Sequence, residues 1–286
     1  MPSQARLDLP RQEPEAFAAS DLAHVQSGPR TRRLMAARLP QRALLLGPAL
    51  LLLVWEAASR LGWLSPDTLS APSQALLTGY RMLADGSLLP HLLASAARAY
   101  SGLLLGLVAG VALALVAGLT RSGEALIDGL VQVKRAIPTL ALIPLAIVWL
   151  GIGEEMKVFL IAISVFVPIY INTHAALRGI DIGHVELAQT LHLSRREFIA
   201  KVALPGALPG FFVGLRLAVS LCWTALVVLE LVNTQTGIGY LMNRARDWGQ
   251  TDVIVVGILI YAWLGLLSDA VVRAIEARVL RYRRTA

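Results

Sequence analysis

The sequence has a single cysteine, few charges and no phosphate-binding glycine loop. Cys222 alone cannot form an intrachain disulfide or a cysteine metal cluster, and its apolar surroundings suit a small packing residue. Charged residues make up 16% of the 286, hydrophobic ones 56%, and the mean hydropathy is +0.63. An ordinary soluble domain does not have this composition. No segment matches G-x-x-x-x-G-K-[ST], so the chain cannot hold ATP by that route. HExxH and GxSxG are absent too. An intramembrane metalloenzyme would have to draw on His174, His184 and His192, and the last two are not at the spacing of a ligand pair.

What is present is a series of apolar runs, several of them near the roughly 20 residues that span a bilayer. The chain therefore reads as all-α and polytopic, with about six transmembrane helices. The formal net charge of +7 and pI near 10.1 fit basic cytoplasmic loops and ends better than a nucleic-acid partner. Residues 1–42 read as a mobile cytoplasmic tail, with Arg30, Arg32, Arg33, Arg38 and Arg42 ahead of the first run. Residues 43–275 read as one membrane domain and 276–286 as a basic cytoplasmic tail.

Within that domain the expected spans are 43–62, 95–118, 137–150, 158–175, 210–232 and 253–267. Glu56 lies in the first, in a structural role. Gly102, Gly106 and Gly110 in the second recur at the interval that lets membrane helices approach closely. Pro138 and Pro144 make the third irregular. Segment 72–84 reads as an interfacial helix, 120–128 and 151–156 as short turns, and 233–251 as an external loop. Counting Lys and Arg places both termini inside, because the opposite orientation would invert a strong bias.

The longest charged interruption in the second half is 181–205. Asp181 is a plausible N-cap, followed by apolar residues at helical spacing. Ser194 with Glu197 forms a capping box, which starts a second helix near Arg195. The stretch reads as a short helix, a bend near His192 and another short helix that stops at Pro205.

Glu186, Ala188, His192, Leu204 and Pro205 sit at the spacing of E-A-A-x3-G-x9-I-x-L-P. With RAIPTLALIPLAIVWLGIGE, LPGALPGFFVGLRLA, TGIGYLM and QTDVIVVGILIYAWLG, they make the chain resemble permease subunits of bacterial ABC importers from about Pro90 onward, in the aliphatic sulfonate, taurine and nitrate branch. Leu187 replaces an Ala of the motif, Val202 its Ile and His192 its Gly, so residue 192 is expected to adopt a left-handed bend at some cost.

The resemblance implies a type I ABC importer permease fold in the bacterial inner membrane, surrounded by lipid, with the EAA loop docking on a separate ATPase. It also implies a second copy of the permease, two ATPase subunits that bind ATP and Mg, and an extracytoplasmic substrate-binding protein. No cofactor, metal or nucleic acid is implied for this chain. The expected substrate is a small organic anion, an aliphatic sulfonate first, with taurine, nitrate or another small solute as the alternative.

One stripe of the fifth span carries Arg216, Ser220, Trp223, Val227 and Glu230. A charge at that depth normally faces protein or water. Arg216 either lines the translocation pathway, moderated by Glu230 or Asp269, or ties its helix to Asp269.

Overall fold

The computed structural model describes residues 46–232 and 234–281. The chain divides into two compact units, Met1–Leu50 and Leu51–Ala286. Of the first, only Leu46–Leu50, the opening of α1, falls among the described residues; the expected tail 1–42 and the last basic residues, 282–286, lie outside them. The described part is helical, with no strand.

The helices are α1 (Leu46–Arg60), α2 (Pro72–Ala84), α3 (Leu88–Leu119), α4 (Arg121–Ala136), α5 (Ile143–Leu150), α6 (Glu154–Arg178), α7 (Ile182–Thr190), α8 (Arg195–Phe198), α9 (Leu204–Leu231), α10 (Ile238–Asp247) and α11 (Thr251–Val279). A 3₁₀ turn, Thr139–Leu142, precedes α5, and a π turn, Ile199–Ala203, joins α8 to α9. Among the described residues, four helices are long and apolar enough to cross a membrane: α3, α6, the run Arg195–Leu231 and α11. A fifth crossing is possible through α4 and Thr139–Leu150, which meet at 92°. The expected first span is described only from Leu46.

Several boundaries differ from the sequence reading. The expected turn at 120–128 is the start of a 16-residue helix, because Thr120 accepts from the Gly123 N–H at 3.0 Å and caps it. That helix ends where Pro138 forces Ile137 into an extended conformation (φ −91°, ψ 118°). The remaining third span is therefore short and approached at a right angle. Glu154 and Glu155, expected in a turn, sit in the first turn of α6, where the helix dipole favours carboxylates. The 233–251 loop contains α10. The helix after Ser194 does not stop at Pro205 but continues through the π turn into α9. α11 itself runs on through Val279, past residue 276.

The core is built around α6, which lies between α3 and α9. The glycines of α3 set one of these contacts. A Cβ on Gly102 would sit 2.5 Å from Ile161 Cγ2, and one on Gly106 2.5 Å from the Ala162 carbonyl oxygen. Gly110 continues the row against Ile169, so α3 and α6 run parallel and in register. Gly214 of α9 approaches the other side of α6, 2.7 Å from the Pro168 carbonyl by the same measure. Buried Ile161, Val165, Ile169, Ala218, Cys222 and Leu226 fill the space between. Lipid tails are as apolar as these side chains, so packing of this kind, rather than hydrophobic exclusion, holds the three helices together.

Gly106→Val should cost about 2 kcal/mol or more, because the clash is with backbone that cannot rotate away. A lowered Tm of the detergent-solubilised protein checks this, with Gly129→Val, where nothing lies within 4 Å, as the control.

Candidate functional site

At one end of the bundle, 181–205 forms two capped turns around a strained residue. The Asp181 carboxylate accepts from the Gly183 N–H at 2.7 Å and starts α7. α7 ends in a Schellman closure, in which the Leu193 N–H reaches the Ala188 carbonyl and the His192 N–H the Gln189 carbonyl, both at 3.0 Å. This geometry demands a left-handed residue between them, and His192 has φ +51°, the one positive φ at a non-glycine among the described residues. Glycine is the usual occupant. Ser194 then opens α8 with the expected capping box: its N–H donates to Glu197 Oε2 at 3.0 Å, and its Oγ accepts from the Glu197 N–H at 3.3 Å.

The motif residues divide by exposure. Ala188 is buried and is the one anchor of α7, whereas Glu186 is exposed beside the outward-facing Ile182, Leu187 and Leu191. Leu204 is 40% exposed. Pro205 stands in the first turn of α9, where its missing N–H is tolerated, and the π turn just before it takes up the change in register. Arg195 donates to the Leu119 carbonyl at the end of α3, 3.0 Å away, and so joins this stretch to the bundle.

At the opposite end, Glu230 is fully enclosed. Its carboxylate accepts from Arg98 Nη1 at 2.6 Å, the Gly239 N–H at 2.9 Å and Tyr261 at 2.8 Å, and Ser95 Oγ lies within 2.7 and 2.8 Å of its two oxygens. Arg98, itself 4% exposed, also donates to the Thr236 carbonyl and forms a two-pronged pair with Glu154, which Lys157 approaches at 3.3 Å. The Ile238 N–H donates to Ser95 Oγ, and the Gly237 N–H to His91 Nδ1. Gly237 is required here, because a Cβ would lie 2.6 Å from both Arg98 and Glu230. Two cations and two anions make the cluster formally neutral, and with its donors and acceptors paired it binds structure together rather than offering a reactive group.

The structure therefore separates the residues of the Arg216 stripe. Glu230 pairs with Arg98 and not with Arg216, since the top of α9 is closed in by α3, α10 and α11. Trp223 is buried as well, with its indole N–H donating to Ser268 Oγ at 3.2 Å. Arg216 and Ser220 are exposed, and Arg216 Nε lies 3.4 Å from Asp269 Oδ1. Sequence reasoning missed Ser95, Arg98, Glu154, Lys157 and Tyr261. The available signal was an arginine in an apolar run one turn before the glycine row, which needs a buried partner. Among the described residues no three potential metal ligands come together. His184 and His192 are exposed on the 181–205 stretch, while His174 stacks on Tyr170.

Among the described residues, an exposed motif loop lies at one end of the helical body and a paired, buried polar cluster at the other. Residues 102–281 match the family described as "Binding-protein-dependent transport system inner membrane component", and the chain belongs to that family. It is a multi-pass inner-membrane permease component of an ABC importer, in the group that includes sulfonate, taurine and nitrate permeases.

The chain is 44% identical over 235 residues to the protein named "Putative aliphatic sulfonates transport permease protein SsuC" of Escherichia coli (strain K12), covering 82% of this chain and 89% of that one. Its identity to the SsuC of Bacillus subtilis (strain 168) is 38% over 239 residues, covering 84% and 87%. The taurine transport system permease protein TauC of E. coli (strain K12) is 32% identical over 236 residues, covering 81% and 86%. A chain of the inward-facing MetNI methionine ABC transporter superposes with a TM-score of 0.45 at 22% identity, covering 64% of this chain and 91% of that one.

His192→Gly should be neutral or raise stability by up to about 1 kcal/mol, because it removes the cost of a left-handed side chain. His192→Val should lower it. Thermal unfolding of the two purified variants against the parent checks both signs, and a fully stable Val variant would contradict a left-handed bend.

Proposed function

We propose that this chain is the membrane-spanning half of an ATP-driven importer for aliphatic sulfonates, working as a homodimer with two separate ATPase subunits. The observation that carries the substrate is the 44% identity to a sulfonate permease across most of both chains; taurine and nitrate relatives are more distant. An extracytoplasmic binding protein delivers the solute, and ATP and Mg bind in the ATPase.

The 181–205 end faces the cytoplasm in this reading, in keeping with Arg121, Arg178, Arg195, Arg196 and Lys201 gathered there. Both termini are then cytoplasmic. Glu186 offers an exposed carboxylate to a basic or hydrogen-bonding partner on the ATPase, and Ile182, Leu187 and Leu191 offer apolar area around it. Ala188 and Pro205 hold the turns on which these groups stand, and His192 and Leu204 complete the surface. Rigid transmission through the Arg195–Leu231 run would carry movement of the docked loop to Arg216 and Ser220, the exposed polar residues of the pathway helix.

Co-expression with the cognate ATPase tests the assignment. The complex should purify together, and adding binding protein loaded with an aliphatic sulfonate should raise ATP turnover. Glu186→Lys should leave membrane insertion intact and release the ATPase or reduce stimulated turnover at least tenfold. Normal transport by this variant at normal expression would refute the docking role, and stimulation by loaded nitrate-binding protein alone would refute the sulfonate assignment.

A further inference from the structure

Half-way along α9 a charge network lies open on the surface. Arg216 is roughly 18 Å from Leu204 and roughly 22 Å from Leu231 along the helix. Its Nε lies 3.4 Å from Asp269 Oδ1 on α11, and the other oxygen of Asp269 is 2.9 Å from Arg273 Nη1. The side chains of Arg216, Asp269 and Arg273 are 44%, 24% and 53% exposed. Two guanidinium groups share one carboxylate, so the network carries a formal charge of +1. Glu276, the next acid along α11, makes no ion pair with them. Above Arg216, Ser220 and Thr224 continue a polar line up the exposed face of α9 at four-residue intervals.

An arginine with nearly half its side chain uncovered six residues into the expected 210–232 span is costly against hydrocarbon, so this face suits water or protein better than lipid. The hydrogen-bonding geometry also leaves capacity unused. A guanidinium has five N–H donors. Among the described residues, the side chains of Arg216 and Arg273 touch no acceptor other than Asp269.

We propose that Arg216, Asp269 and Arg273 form the anion-selecting step of the translocation pathway, with Asp269 holding two guanidinium groups at a net +1 toward a passing oxyanion. This rests on the reading of the chain as an organic-anion permease and adds which residues select the charge. The free N–H groups can meet two oxygens of a sulfonate or nitrate at once. The lone carboxylate limits the field, so that the anion is admitted and also let go. An uncharged solute would gain little there.

The roles of the two arginines separate cleanly. Arg216 spans α9 and α11 and so also ties the helices together. Arg273 is one turn from Asp269 on the same helix, and Arg273→Gln removes the net charge while leaving the tie between helices in place. Ser220→Glu cancels the same charge from the other helix.

The test uses the complete complex in proteoliposomes, with ethanesulfonate and nitrate each presented on a binding protein that captures it. The readout is anion moved per ATP hydrolysed. Arg273→Gln and Ser220→Glu should each lower this ratio about tenfold, and Arg273→Lys, which keeps the charge but not the planar fork, should lower it by clearly less than Arg273→Gln. Should Arg273→Gln not assemble by size-exclusion chromatography, Ser220→Glu decides. A parental ratio in the assembled charge-cancelling variants would overturn the proposal, as would Arg273→Lys behaving like Arg273→Gln. A parent complex that moves nitrate and not ethanesulfonate would overturn the sulfonate reading alone, with the charge test then read on nitrate. One that moves neither anion and carries an uncharged solute instead would overturn both.

Discussion

A single carboxylate holds the far end of this bundle closed. Glu230 is out of reach of water and accepts hydrogen bonds from α3, from α11 and from the backbone at the start of α10. Removing either member of such a pair leaves an uncompensated buried charge, at about 3–5 kcal/mol. The effective strength comes from completeness, because Arg98 in turn satisfies Thr236 and Glu154. The top of α6 is drawn in through Glu154, so the helix that α3 and α9 pack against is fixed at this end by charge and along its length by glycine contacts.

The other end is built by different means. Its hydrogen bonds are mostly local: caps, a Schellman closure and a π turn, while Arg195 to Leu119, buried Ala188, and Ala203 and Phe198 packed with Leu177 and Leu119 join it to the bundle. Local structure of this kind keeps its own shape while moving as a unit. In the proposed reading, a loop that follows a partner subunit and pulls on a long helix combines both properties, and the run from Arg195 to Leu231 would be its lever.

How much of this could be read in the sequence follows from the range of the interactions. Asp181, the Ser194–Glu197 box and the bend at His192 were legible because each contact lies within a few residues, where capping rules apply. The close face of Gly102, Gly106 and Gly110 was legible because spacing alone defines it. The pairing of Arg98 with Glu230 was not, since the two are 132 residues apart and helical periodicity says nothing about which helices are neighbours. The same periodicity puts Glu230 on one stripe with Arg216, about four helical turns away, although burial changes along α9 as its neighbours change. The opening half of α4, 121–128, reads as a turn because its residues are polar, and the one local signal of a helix start is the Thr120 cap. The continuation past Pro205 was missed because a proline in the first turn of a helix and a proline after its end look alike in sequence.

In the proposed mechanism one end of the bundle is a fixed joint and the other a moving coupler. Amide hydrogen exchange on the assembled complex, with and without ATP, tests it most directly. Gly237, Ile238 and Gly239, whose N–H groups are held by His91, Ser95 and Glu230, should stay protected in both states, while the amides of 182–203 should change protection on ATP binding. Exchange that changes at 237–239 and stays constant across 182–203 would contradict it.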